Sequence, residues 1–310
     1  MSLTPPDPTE LRPYGATALR VTPICIGCAP LGNMPETFAY SVTEEDARAT
    51  IRAFFASQIN FLDTSAAYGD GEIERRIGLV IRELGGVPDG FVVATKADRD
   101  LTTLDFSGEQ MRRSVDRSLR LLGLDQLEIC YLHDPEHVTF EEIVKPGGAL
   151  ETLQALVEEG VIRHLGLAGG PIDLMLRYVE LGCFEAVISH NRYTLLNRDA
   201  DPLFDEASRR GMAVINAAPY GSGLLSRGPG ASPRYMYGQA SPEYLTEAKR
   251  LEAICARHDL PLAALALQFS LRDPRITSTI VGMSRPERLA QTIALARTTI
   301  PREVWDEAGA

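Results

Sequence analysis

The sequence contains no apolar run long enough to cross a bilayer, and its start lacks the charged-then-apolar pattern of a secretory leader. No membrane partner is therefore expected. Basic residues are in short supply: 31 Lys and Arg stand against 42 Asp and Glu, a net charge of −11. Such a balance argues against nucleic acid or an anionic lipid surface, both of which select clustered Lys and Arg. Cysteine is scarce and odd in number, at positions 25, 28, 130, 183 and 255. That speaks against a disulfide framework and for free thiols in a cytoplasmic compartment. Cys25 and Cys28 have the spacing of a redox pair, yet Cys25 lies inside the apolar run 23–27 rather than at a helix start, so its side chain is expected to face a core. His133 and His137 have the i, i+4 spacing of helical metal ligands, but Pro135 between them interrupts such a helix, and no metal is expected.

What the sequence does contain is a regular alternation. Short apolar segments at 23–27, 59–63, 91–95, 127–133, 161–169, 184–190, 211–219 and 276–282 read as strands. Helical patterns follow each of them: from Thr43 toward Ser57, at 72–84, after Ser107, at 149–160, after Pro171, at 202–210, at 243–258 and at 285–296. Several of the strands lack a clean apolar–polar alternation, as strands covered on both faces do. Eight such units in 310 residues fit an α/β fold of the (β/α)8 barrel type better than an open sheet. An open sheet would carry a G-x-G-x-x-G turn after its first strand, and GCAPLGN has neither that spacing nor a clear helix start behind it. Residues 11–22, with Gly15 between apolar flanks, read as an N-terminal β-hairpin. Residues 1–10 read as a flexible polar leader. The whole chain, 1–310, reads as one barrel domain, with a long irregular loop at 221–241 after the seventh barrel strand as a lid or pocket wall.

In a barrel the residues just past the strand C-termini converge on one mouth. Read there, the sequence places Asp63 after the second barrel strand, Tyr68 in the loop behind it, Lys96 after the third and His133 after the fourth. An ammonium beside a phenol stabilises the phenolate and lowers its pKa, and a carboxylate keeps the ammonium charged and oriented. Tyr68 would then give or take a proton near neutral pH, with His133 directing a substrate oxygen toward it. Each residue alone has a plainer reading: Tyr68 as packing, Asp63 as a turn cap, Lys96 as the Schiff-base amine of a barrel aldolase. Only the combination favours acid–base chemistry.

The combination FLDTSAAYGDGEIERRIG, ATK at 94–96 and LHD at 132–134 resembles the aldo-keto reductase superfamily, and the likeness spans nearly the whole chain. It implies a nicotinamide-dependent oxidoreductase in which Tyr68 transfers the proton, Lys96 and Asp63 tune it, and His133 positions the carbonyl or hydroxyl. The stretches SHNRYTLL and VINAAPYGSGLL resemble the branch containing D-threo-aldose 1-dehydrogenases and an NAD-linked pyridoxal dehydrogenase. That branch implies oxidation of an aldose at C1 to a lactone. Reduction of small aldehydes, a pyridoxal-type dehydrogenase and, from another class, a cofactor-binding regulatory subunit are the alternatives.

The resemblance also implies a set of cofactor contacts. Small residues in Tyr220-Gly221-Ser222-Gly223-Leu224 would let backbone N–H groups approach the pyrophosphate. The family's Ser-Asn pair for the nicotinamide carboxamide is replaced here by Ala168 and Gly169, which leaves Ser189 or His190 to take that contact. Ala217 stands where many relatives carry a stacking tyrosine. Cys28 falls beside the same groove. Counting back from Arg288, Gly282 and Met283 occupy the positions of the Lys-Ser pair that favours NADP, while Gln291 and Thr292 fall near adenine and ribose. One charge-assisted contact to a 2′-phosphate is thereby lost. The expectation is NAD, or relaxed use of NAD and NADP.

Overall fold

The computed structural model describes residues 4–38 and 40–310. The strands are β1 (Arg12–Pro13), β2 (Arg20–Val21), β3 (Ile24–Gly27), β4 (Phe61–Asp63), β5 (Val92–Ala97), β6 (Leu127–His133), β7 (Ile162–Gly169), β8 (Ala186–His190), β9 (Ala213–Ala217), β10 (Arg234–Tyr235), β11 (Gly238–Gln239) and β12 (Ser278–Gly282). All-parallel pairing in the order β12-β3-β4-β5-β6-β7-β8-β9, with β12 also pairing β9, closes the eight-stranded barrel that the alternation predicts. Among the described residues no helix is long and apolar enough to cross a membrane.

Strand alternation explains the two-layered core. Phe61, Val92, Ala94, Ile129, Tyr131, Ala186, Ile188, Ala213, Ile215 and Ile280 fill the barrel's interior, while the intervening residues, such as Leu62, Val93, Cys130 and Val187, pack outward against the helices. The expected helix starts are real at Thr43 and Ser107, which accept from the backbone N–H groups of Asp46 and Gln110, and Ser241 caps a further helix in the same way through Tyr244. Gly160 ends the helix Ala149–Glu158 as its C′ residue at φ 75°.

The expected hairpin forms from β1 and β2 and closes the bottom of the barrel. Tyr14 is fully buried there, its hydroxyl 2.6 Å from that of Tyr131. Gly15, at φ 57°, presses against the strand behind it: a Cβ would lie 2.6 Å from the Ala213 nitrogen. Of the leader, residues 1–3 lie outside the described residues. Thr4 accepts through its carbonyl from Arg272, and Asp7 faces Arg297 at 3.8 Å.

Besides short helices such as Phe140–Val144 and Arg302–Ala308, one long helix escapes the sequence reading. Leu262–Leu271 is buried along its whole length, so it carries no amphipathic stripe for a period to reveal. Within the long loop, β10 and β11 form a small hairpin whose tip residues Met236 and Tyr237 both have positive φ.

Glu74, on the helix Glu72–Leu84, faces β5 with its carboxylate accepting from the Thr95 hydroxyl at 2.5 Å. Burial pushes its carboxyl up to about 7, more than the hydrogen bond from Thr95 brings it down. The ionised form is therefore penalised in the folded state, fully above pH 7 and not at all below the unfolded carboxyl range. Glu74→Gln is expected to raise stability at pH 8 by ~1–3 kcal/mol and to leave it nearly unchanged near pH 4.5. Urea denaturation at the two pH values checks this. An equal effect at both would remove ionisation of Glu74 as its cause.

Candidate active site

Parallel register staggers the strand ends, so that Asp63 lies beside Ala94, Lys96 beside Tyr131 and His133 beside Ala168. Alternation from the interior residues puts Gly27, Asp63, Lys96, His133, Ala168, His190, Ala217 and Gly282 at the inward-facing C-terminal positions. Three adjacent strands thus contribute Asp63, Lys96 and His133. The remaining arc is lined by small residues apart from His190. The mouth thus has a polar half and a half of small side chains.

The Lys96 ammonium donates to Asp63 Oδ2 at 2.8 Å, to the Thr64 carbonyl at 2.7 Å and to the Tyr68 hydroxyl at 3.1 Å. Asp63 and Lys96 are almost fully buried. Burial alone would strip the proton from Lys96, but Asp63 and then Tyr68 overcome it and hold the ammonium charged. Burial likewise raises Asp63, partly offset by Lys96. For Tyr68 the expected lowering is reversed. Desolvation pushes the phenol above its ordinary range, and Lys96 recovers only part of the difference. Without further positive charge Tyr68 is a protonated acid, not a phenol poised near neutrality.

His133 stands with its ring centroid 6.0 Å from that of Tyr68, at an interplanar angle of 85°. Its Nδ1 lies 2.5 Å from Asp98 Oδ1 and 3.2 Å from Ser65 Oγ. Its Nε2 is 3.6 Å from Asp134 Oδ1. Sequence reading stopped at Lys96 and missed Asp98, which is two residues on and therefore on the same face of the chain. It also left Asp134 without a role, although LHD places it at the mouth, where it adopts φ 44°. On the opposite side burial drives His190 down to about 4, so that imidazole is neutral near pH 7. Its Nδ1 meets the Asn191 amide at 3.2 Å, and the Tyr237 ring is 6.3 Å away, centroid to centroid.

The cofactor candidates divide. His190 is on the lumen side with Ile188, whereas Ser189 alternates to the outer face, its hydroxyl buried and without a hydrogen-bond partner among the described residues. Cys28 and Met283 are fully buried in the outer core, so their side chains do not line a groove; their N–H groups serve Asp63 and Gly27 carbonyls. Thr292 is also buried and donates its hydroxyl to the Arg288 carbonyl in its own helix. The side chains of these three residues turn away from a groove for one reason: backbone proximity does not set side-chain direction. Arg288 remains close to Tyr220 and lies 3.5 Å from Gln291 Oε1. In the 220–224 turn, Gly221, Ser222 and Gly223 all have positive φ, and the N–H groups of Gly221, Gly223 and Leu224 donate to the carbonyls of Ala218, Tyr220 and Gly221. Arg227 packs against Gly223, near enough that a Cβ there would meet its guanidinium at 2.8 Å.

The departure GLAGG has a steric cause. A Cβ on Gly169 would lie 2.6 Å from the Met175 sulfur and 3.0 Å from Glu136 Oε2; one on Gly170 would lie 2.9 Å from Glu136 Oε1. Glu136, which accepts from the Gly170 N–H at 3.0 Å, fills the space that larger residues would need. Opposite the polar residues, Gly27, Ala168, Ala217 and Gly282 bring no bulky side chain to the mouth, and His190 is the polar side chain on that arc.

The Aldo/keto reductase family model matches residues 23–309. The chain is 35% identical to an L-galactose dehydrogenase of Arabidopsis thaliana, over 92% of this chain and 87% of that protein. It is 30% identical to a D-threo-aldose 1-dehydrogenase of a Pseudomonas species, over 94% of both. A pyridoxal 4-dehydrogenase of Microbacterium luteolum shares 28% identity over 96% of both. An aldo-keto reductase from Bacillus halodurans, solved in its holo form, superposes with a TM-score of 0.80 over 97% of this chain and 95% of that one at 23% identity, a likeness of fold.

Proposed function

The chain belongs to the aldo/keto reductase family of oxidoreductases, and from that premise we propose that it oxidises an aldose at C1 to the lactone, with NAD as the preferred acceptor. The observation that carries the reading is the Lys96 ammonium bonded at once to Asp63 and to the Tyr68 hydroxyl. A bound oxidised nicotinamide supplies the two-electron acceptor and one positive charge. This chain's side chains do the rest. Tyr68 takes the proton from the anomeric hydroxyl, Lys96 stabilises the phenolate that must exist to take it, and Asp63 keeps Lys96 charged. His133 orients the oxygen that becomes the lactone carbonyl.

An aldose suits this mouth better than a hydrophobic carbonyl. Asp134 offers a carboxylate that accepts from hydroxyls, neutral His190 can donate or accept, and the names of the relatives at 35% and 30% identity point the same way. Because burial raises Tyr68, its base form grows as pH rises; oxidation is expected to accelerate toward alkaline pH, and carbonyl reduction toward acid pH. A pH-rate profile in both directions checks the sign. Oxidation that is fastest in acid would contradict it.

The NAD preference rests on the loop after β12. Gly282 offers no side chain and Met283 is buried, so Arg288, with Arg285 near it in sequence, remains for a 2′-phosphate. Losing one charge-assisted contact is worth roughly 1.5–3 kcal/mol, about 10- to 100-fold in affinity. Steady-state kinetics with each cofactor tests this. A kcat/KM with NADP more than about tenfold above that with NAD, a gap of roughly 1.4 kcal/mol, would overturn it.

A further inference from the structure

The most complete polar arrangement outside the four expected residues is the one behind His133. Asp98 is 3% exposed, and each of its oxygens is engaged. Oδ1 meets His133 Nδ1 at 2.5 Å, while Oδ2 accepts from the Ser65 hydroxyl at 2.6 Å and from the Ala67 N–H at 2.9 Å. Its own backbone is pinned as well, the N–H donating to Ser114 Oγ at 3.0 Å and the carbonyl accepting from Gln110 at 3.1 Å. One carboxylate thus ties the strand end that carries His133 to the loop that carries Tyr68.

We propose that Asp98 is a positioning residue for the reaction: it accepts the Nδ1 proton of His133, fixes the plane of the ring and leaves Nε2 as the atom that meets the substrate oxygen. The proposal rests on the dehydrogenase reading for its consequence, but not for its geometry. Ser65 gives its proton to Asp98, so its oxygen faces Nδ1 as a second acceptor, and both neighbours of Nδ1 require a proton there. Nε2 is then the only ring atom that changes with pH. It donates to the substrate oxygen when the ring is charged and accepts when it is neutral.

The charges around the ring are Asp98 and Asp134, which favour the imidazolium, and Lys96, which opposes it. Farther out, Asp63 and Glu136 face it with carboxyl groups, and His137 and His190 with imidazoles. The Tyr68 ring closes the remaining side. The carboxylates outweigh burial, so the donating form persists above the ordinary imidazole range.

Asp98→Asn is an informative replacement because the Ala67 N–H can only donate. It draws the amide oxygen to itself and turns the amide NH2 toward His133, where Nδ1 must become the acceptor and the proton must move to Nε2. The test is nitrogen-15 NMR of the full chain labelled at its five histidines, with and without NAD. In the wild type, neutral His133 is expected to carry its proton on Nδ1, and its titration to lie above about 6.5. In Asp98→Asn the neutral tautomer is expected to switch to Nε2–H, with the titration shifted to lower pH. Aldose oxidation should fall in kcat by about 10- to 100-fold, the scale of losing the partner that orients an imidazole, with NAD binding retained. Ser65→Ala keeps the charge and is expected to keep the wild-type tautomer.

An Nε2–H tautomer in the wild type overturns the proposal without any variant, so a failure of Asp98→Asn to fold would leave it testable. An unchanged tautomer and titration in a folded Asp98→Asn overturns it too. Absence of aldose turnover in the presence of the expected NMR signature would instead strike the dehydrogenase reading and leave the placement of the proton standing.

Discussion

Replacing Tyr68 by phenylalanine is expected to reduce kcat for aldose oxidation by ~10²–10⁴-fold, the usual contribution of general acid–base catalysis, while NAD binding stays essentially as in the wild type. The substitution removes one oxygen. Lys96 loses its 3.1 Å bond to the phenol but keeps Asp63 at 2.8 Å and the Thr64 carbonyl at 2.7 Å. The ring, packed against the outer core, keeps its place, and the thermal midpoint should move little. Single-turnover kinetics with NAD and fluorescence titration of the cofactor separate the two effects. A variant with near wild-type turnover would eliminate Tyr68 as the acid or base.

Lys96→Met is expected to do two kinds of damage. The chemical step loses the cation that offsets desolvation of the phenol, so oxidation should survive only at still higher pH. Stability should fall as well, by ~3–5 kcal/mol, because removing one partner of a buried pair leaves the other charge uncompensated. Asp63 would then have its carboxyl pushed up by burial with no ammonium to oppose it. A raised carboxyl costs stability above the unfolded pKa, so the loss should be largest at alkaline pH and shrink as pH falls. The double variant Lys96→Met, Asp63→Asn separates the roles: stability should return in large part and activity should not. Recovery of turnover in the double variant would remove Lys96 from catalysis. Denaturant titrations at acid and alkaline pH, beside kinetics, read both.

The barrel was legible because short apolar strands, covered on both faces, recur between helices whose one buried face writes a period into the sequence, and because Thr43 and Ser107 mark helix starts by local hydrogen bonds. Leu262–Leu271 was not, since burial on every side erases the period. The meeting of Asp63, Tyr68 and Lys96 followed from topology alone: neighbouring parallel strands end at one mouth. What topology does not carry is electrostatic balance. The proximity of Lys96 suggested a lowered phenol, yet the depth of Tyr68 decides the sign. Asp98 illustrates a further limit. In ATKADRD nothing local marks it, and its meaning appears only when β6 brings His133 alongside. Cys28, Met283 and Thr292 show the limit from the other side: their side chains turn into the core or into their own helix, which their place in the sequence does not reveal.

The most direct test of the proposed chemistry follows one atom. The protein is incubated with NAD and an aldose carrying deuterium at C1, over a panel that includes L-galactose and L-fucose, and both products are analysed by mass spectrometry. The account predicts that the deuterium leaves the anomeric carbon and appears in the reduced nicotinamide, that the sugar product is the lactone, and that Tyr68→Phe abolishes both signals together. No deuterium transfer from any aldose, with turnover confined to reduction of small apolar carbonyls, would contradict it.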